Sequence, residues 1–176
     1  DRRQRQMCIR DRPYGIKMAP DGSVWVVLFG SNKIAHIDPD TLEHEEIALP
    51  RAEARPRRLE VTADGMVWYV DYAMGRLGRL DPASGEVTEW QMPQGEGARP
   101  YGMASDSDGK LWMVATGVQP NVFLGFDPAS ESFFSSTEVD SGGGTIRHMH
   151  YHEPSGAVWF GTDTNYVGRA VVQPDK

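Results

Sequence analysis

The chain has 176 residues with 18 basic and 25 acidic side chains, a net charge of −7, and a single cysteine, Cys8. That balance argues against nucleic acid as a partner, because phosphate binding needs a basic face. No apolar run approaches the 18 or more residues of a membrane span, and one cysteine can build neither an internal disulfide nor a cysteine-based metal site.

Residues 1–12 are Asp-Arg-Arg-Gln-Arg-Gln-Met-Cys-Ile-Arg-Asp-Arg, with no strand pattern and a charge opposite to the rest. They resemble translated adapter read-through and are expected to be a non-native leader, to be set aside as any cloning scar would be. The alternative is a basic arm for an acidic partner. The leader holds five arginines and two aspartates, so the remainder carries −10 and no thiol.

From Pro13 onward the chain repeats. Trp25, Trp68, Trp112 and Trp159 follow one another at 43, 44 and 47 residues, a period that marks the blades of a β-propeller. Arg12-Pro13-Tyr14-Gly15-Ile16, Arg55-Pro56-Arg57-Arg58-Leu59 and Arg99-Pro100-Tyr101-Gly102-Met103 each lead to a tryptophan twelve residues after the proline. Ile146-Arg147-His148-Met149-His150 takes that slot in the fourth copy, which lacks the Asp-Pro found at Asp38-Pro39, Asp81-Pro82 and Asp127-Pro128.

In the first copy strands are predicted at Gly15 to Ala19, Val24 to Phe29, Lys33 to Ile37 and His44 to Leu49. Pro20-Asp21-Gly22-Ser23, Gly30-Ser31-Asn32 and Asp38-Pro39-Asp40 supply the turns. No apolar pattern at helical spacing persists. The fold class is therefore all-β, a propeller fragment of four four-stranded antiparallel blades over 13–55, 56–99, 100–145 and 146–176. The last blade stops after its third strand, Tyr166 to Val172, and the missing part of a larger ring, seven blades, is expected on the N-terminal side. Blade faces left bare should make such a fragment marginally stable.

Blades built as Arg-Pro-Tyr-Gly-Ile, Asp-Gly-Ser-Val-Trp, Asn-Lys-Ile and Ile-Asp-Pro resemble the virginiamycin B lyase family, seven-bladed propellers. Residues 71–82 and Gly142-Gly143-Gly144-Thr145-Ile146-Arg147-His148-Met149 are most similar to a bacterial branch outside its antibiotic-resistance members. The resemblance implies a Mg²⁺-dependent carbon–oxygen lyase that opens a cyclic depsipeptide by elimination, a histidine taking the α-proton while a cation steadies the enolate-like charge. It also implies a peptide-like or small-molecule ligand, a monomeric full-length protein and an exported location.

The family sets a histidine two residues after the blade's arginine on two adjacent blades, with a glutamate two residues before one of them and an acid beyond the following tryptophan. Counted back from the tryptophans, this slot holds Tyr14, Arg57, Tyr101 and His148. The resemblance thus makes His148 the base, Tyr14, Arg57 and Tyr101 substrate contacts, and Asp163 the stand-in acid and Mg²⁺ ligand, while Ile146 replaces the glutamate. His150 and His152 align with Ile16, Leu59, Met103 and Met18, Val61, Ser105, and are expected to be core histidines rather than metal ligands. Asp71 reads equally as a ligand or a polar strand end, and Asp163 equally as an Asx turn. A propeller that binds a ligand or protein without catalysis is the second reading. A third, a metal-dependent lactonase, lacks recognisable acidic ligands.

Overall fold

The computed structural model describes residues 11–140 and 144–173. Most of the suspected leader, with Cys8, and the glycines Gly142 and Gly143 lie outside them. Among the described residues fifteen strands make four antiparallel sheets in sequence order. The first holds β1 (Pro13–Met18), β2 (Val24–Leu28), β3 (Lys33–Ile37) and β4 (His44–Ala48); the second holds β5 (Pro56–Val61), β6 (Val67–Asp71), β7 (Arg76–Leu80) and β8 (Val87–Gln91). The third holds β9 (Pro100–Ser105), β10 (Leu111–Ala115), β11 (Val122–Asp127) and β12 (Ser132–Glu138). The last has three strands, β13 (Ile146–His152), β14 (Ala157–Thr162) and β15 (Val167–Val171). The only helical turns among the described residues are short 3-10 segments at Gly95–Ala98 and Glu153–Ser155.

Turn chemistry separates the strands as the composition requires. Gly22, Gly65 and Gly109 adopt positive φ in the first hairpin of three successive blades, where a side chain would be strained. Asp38, Asp81 and Asp127 each turn a carboxylate oxygen back onto the N–H two residues ahead, closing the Asx turns expected of the Asp-Pro pairs.

The core lies between sheets. Trp25, Val27 and Ile34 meet Leu59, Val67 and Tyr69 across the first interface. Trp68, Val70 and Leu77 meet Met103, Met113 and Phe126 across the second, and Trp112, Val114 and Phe123 meet Val158 and Phe160 across the third. The first three tryptophans thus face the following blade, which explains the repeat: a large ring fills the wedge that opens between neighbouring sheets away from the axis. The inner strands β1, β5, β9 and β13 stand side by side, each packed against the next, and bring their N-terminal ends onto one rim.

Candidate functional site on the inner-strand rim

The rim residues come from an irregularity repeated in every blade. Pro56 pairs with Asp71 and Arg58 with Val70, so Arg57 has no ladder partner. Ile146 pairs with Thr162 and His148 with Gly161, leaving Arg147 likewise unpaired. The ladders of β1 and β9 shift over the same stretch, which contains Tyr14 and Tyr101. A bulged residue leaves the sheet face and is re-aimed, and here the rim receives it.

This register corrects the placement of the fourth blade. The rim position of Tyr14, Arg57 and Tyr101 is held by Arg147, and His148 lies one residue further on, level with Gly15, Arg58 and Gly102. A second set of bonds agrees: the N–H groups of Phe29, Tyr72, Thr116 and Asp163 donate to the carbonyls of Arg12, Arg55, Arg99 and Thr145. Thr145 therefore stands where the repeated arginine does, and Ile146 where the proline does. The physical cause is one extra residue between Ile146 and Trp159: β13 has seven residues where β1, β5 and β9 have six, the added one falling at its end beside the 3-10 turn Glu153–Ser155. Counting back from the tryptophan carries that residue into the strand as a one-place error.

The same shift overturns the expectation of core histidines. His150 pairs with Trp159, as Lys17 pairs with Trp25, Glu60 with Trp68 and Ala104 with Trp112. That face meets the following blade in the first three sheets, whereas no described sheet covers it in the fourth, and His150 is exposed. His152, exposed as well, has its Nδ1 2.8 Å from the Ser155 hydroxyl.

Around the rim the predicted contacts do converge. The Tyr14 and Tyr101 hydroxyls are hydrogen-bonded to one another. The Arg57 guanidinium carbon lies 3.7 Å from the Tyr101 ring centre, 4.2 Å from that of Tyr72, 4.8 Å from that of Phe29 and 5.1 Å from that of Tyr14, close enough for cation–π attraction to all four. Partial burial opposes ionisation of the Tyr14 phenol, but hydrogen bonds with Tyr101 and Arg57 and the charges of Arg57 and Arg58 outweigh it and hold its pKa below the ordinary value.

His148 meets Arg58, whose guanidinium nitrogen lies 3.2 Å from Nε2 and 3.4 Å from Nδ1. The intervening blade has Gly102 at this position, without a side chain. Desolvation, then the charges of Arg58 and Arg147, lower the His148 pKa, so the imidazole is neutral at pH 7.

Neither acid suits a metal. Asp163 accepts the Thr145 N–H at 2.6 Å through one oxygen and pairs with Arg147 at 3.0 Å through the other. Asp71 is fully buried, with one oxygen accepting the N–H groups of Arg55, Ala73 and Met74, so it is a strand end locked to its own loop. No three His, Cys, Asp or Glu side chains gather into a metal-binding group among the described residues. A rim of arginines repels a divalent cation, and these residues do not fit Mg²⁺.

Phe29, Arg58, Tyr72, Arg99 and Arg147 escaped the sequence reading of the site. Phe29 and Tyr72 were detectable, since both stand four residues after their tryptophans. The pairing of Arg58 with His148 joins non-adjacent blades and leaves no mark in the repeat.

Fold and rim together define a β-propeller whose inner strands present tyrosine, arginine and histidine at one end. The model of the Virginiamycin B lyase family matches residues 4–173, and the chain belongs to that family. Among solved structures it is similar to a catalytically inactive virginiamycin B lyase from Staphylococcus aureus with quinupristin, at 20% identity and a TM-score of 0.73 over 94% of this chain and 57% of that one. Kuenenia stuttgartiensis hydrazine synthase aligns at 18% identity and a TM-score of 0.78, over 92% of this chain and 46% of that one. A putative 6-phosphogluconolactonase from Bacteroides uniformis aligns at 14% and 0.70, over 93% and 52%. Likeness at such identities shows the fold alone. The chain spans little more than half the length of the lyase. No curated protein matches it by sequence. Among the described residues no helix is long and apolar enough to cross a membrane.

Proposed function

We propose that the rim binds a cyclic or esterified peptide-like compound and that His148 acts on it as the base of a carbon–oxygen lyase. The observation that carries this reading is the His148 imidazole held 3.2 Å from the Arg58 guanidinium, a base and an oxygen-binding cation side by side.

In such a reaction the imidazole lone pair takes the proton from the carbon next to a carbonyl. The C–H electron pair becomes a carbon–carbon double bond as the adjacent C–O bond breaks, and the ester leaves as a carboxylate. Charge grows on oxygen throughout, which a guanidinium steadies through paired N–H donors. Arg58 donates to whichever ring nitrogen of His148 carries the lone pair. A ligand oxygen that draws Arg58 to itself would release that lone pair for the proton, while Tyr14, 38% exposed over the buried Tyr101, and the half-buried Phe29 offer aromatic surface to an apolar body.

The test is to incubate the protein with a streptogramin B compound and follow the product by mass spectrometry. Elimination opens the ring without a change of mass, whereas hydrolysis adds one water. The expected result is a linear product of unchanged mass, lost in His148→Ala; absence of any linear product removes the lyase reading. A rim that binds without catalysis would then stand, supported by the ready-made stack of Arg57 among four rings.

A further inference from the structure

Beyond Tyr101 from the tyrosine pair, a cleft of about 570 Å³ opens on the same rim. Arg57, Arg99 and Arg147 line it together with Tyr101, Thr116 and Gln119, and no acidic residue does. Neither His148 nor Arg58 belongs to its lining, so it is a second compartment that shares Arg57 and Tyr101 with the first.

Three guanidiniums in one cleft are unusual in a chain of net charge −7, because their mutual repulsion must be offset. Asp163 offsets one, pairing with Arg147 from outside the cleft. Arg57 and Arg99 have no acidic partner within ion-pair distance among the described residues, and Arg57 Nε is buried with no hydrogen-bond acceptor. Arg99 is presented by a left-handed backbone, φ 44°, just past the 3-10 turn Gly95–Ala98, and its carbonyl is tied to the Thr116 hydroxyl at 2.7 Å. Its side chain is thus exposed on an anchored backbone. Arg57 spends one N–H on the Tyr14 hydroxyl at 3.5 Å, and its remaining donors with those of Arg99, lacking acidic partners on one concave site, are what a planar or tetrahedral oxyanion requires.

We propose that this cleft is a binding site for a compact oxyanion, a carboxylate or phosphate group carried by the ligand. It rests on the function proposed above only in taking the rim as the ligand face. An anion seated there would be held by Arg57 and Arg99 across the cleft, with the rest of the molecule extending past Tyr101 toward His148.

Calorimetric titration with inorganic phosphate and with succinate, at constant ionic strength set by chloride, tests the site without any turnover. Saturable binding of either anion is expected, phosphate alone or succinate alone showing which oxyanion the cleft prefers. Arg99→Asn removes the guanidinium while keeping a residue that tolerates positive φ, and should weaken binding about tenfold or more. Arg169→Gln, remote from the cleft, should leave it unchanged. No saturable binding by either anion, or equal weakening by both substitutions, overturns the proposal. Neither result touches the lyase reading, which the streptogramin assay decides separately.

Discussion

At the scale of single residues, the rim is an electrostatic device built around a neutral histidine. Partial desolvation disfavours a charge on His148, and protonation would also add a third positive charge beside Arg58 and Arg147. Its pKa therefore lies below the ordinary value of about 6.5. The sign follows directly: the unfolded chain binds a proton here at a pH where the folded chain does not, so this group's contribution to stability falls as pH drops through the ordinary histidine range. Arg58→Ala removes one cation and some burial, and should move the His148 titration upward, read from imidazole chemical shifts against pH. An unchanged titration would show that Arg58 does not set the base.

At the scale of the elements, strand pairing decides which side chains can coexist. Tyr69 of β6 lies opposite Gly78 of β7, which lies opposite Glu89 of β8. The Tyr69 ring lies against Gly78, and its hydroxyl is 3.0 Å from the Glu89 carboxylate. Burial, then the nearby Glu89 charge, push the phenol's pKa far up, so it stays a donor. A Cβ on Gly78 would collide with the ring, whereas one on Gly161 would meet nothing. Gly78→Ala is expected to cost about 1–3 kcal/mol by urea denaturation, and Gly161→Ala no more than about 0.5 kcal/mol. Equal costs would mean that the ring does not depend on the missing side chain. Phe160 lies against Gly168 in the last blade, and Trp112 against Gly125 in the third, in the same way. A glycine beneath an aromatic ring is thus a repeated packing solution.

Over the whole molecule, equal positions in the repeat are not equal in energy. Trp68 is 1% exposed between the second and third sheets, stacked on Trp90 and against Phe126. Trp159 holds the same place in its blade yet is 41% exposed, and Ile16 and Met18 on β1 are 63% and 71% exposed. Trp68→Ala should therefore cost about 3–5 kcal/mol, a large share of a typical domain's stability. Trp159→Ala should cost far less in the same denaturation series. Comparable losses would show that the exposed face of the fourth sheet is covered in solution.

The repeat by itself gave the period, the strands and the rim positions of the first three blades. Tryptophan spacing recurs in all four blades and Asp-Pro turns in the first three, and the five-residue pattern at the start of the first three inner strands already named Tyr14, Arg57 and Tyr101. The register of the fourth blade and the company its side chains keep come from the packing of the sheets. A residue added beside the Glu153–Ser155 turn shifts nothing in composition or pattern. Only the pairing of Ile146 with Thr162 and the bond from Asp163 to Thr145 show that Arg147 holds the rim position and His148 the next. The pairing of His148 with Arg58 joins residues 90 apart in the chain. Such a contact depends on how sheets pack around an axis, and no local rule of spacing encodes it.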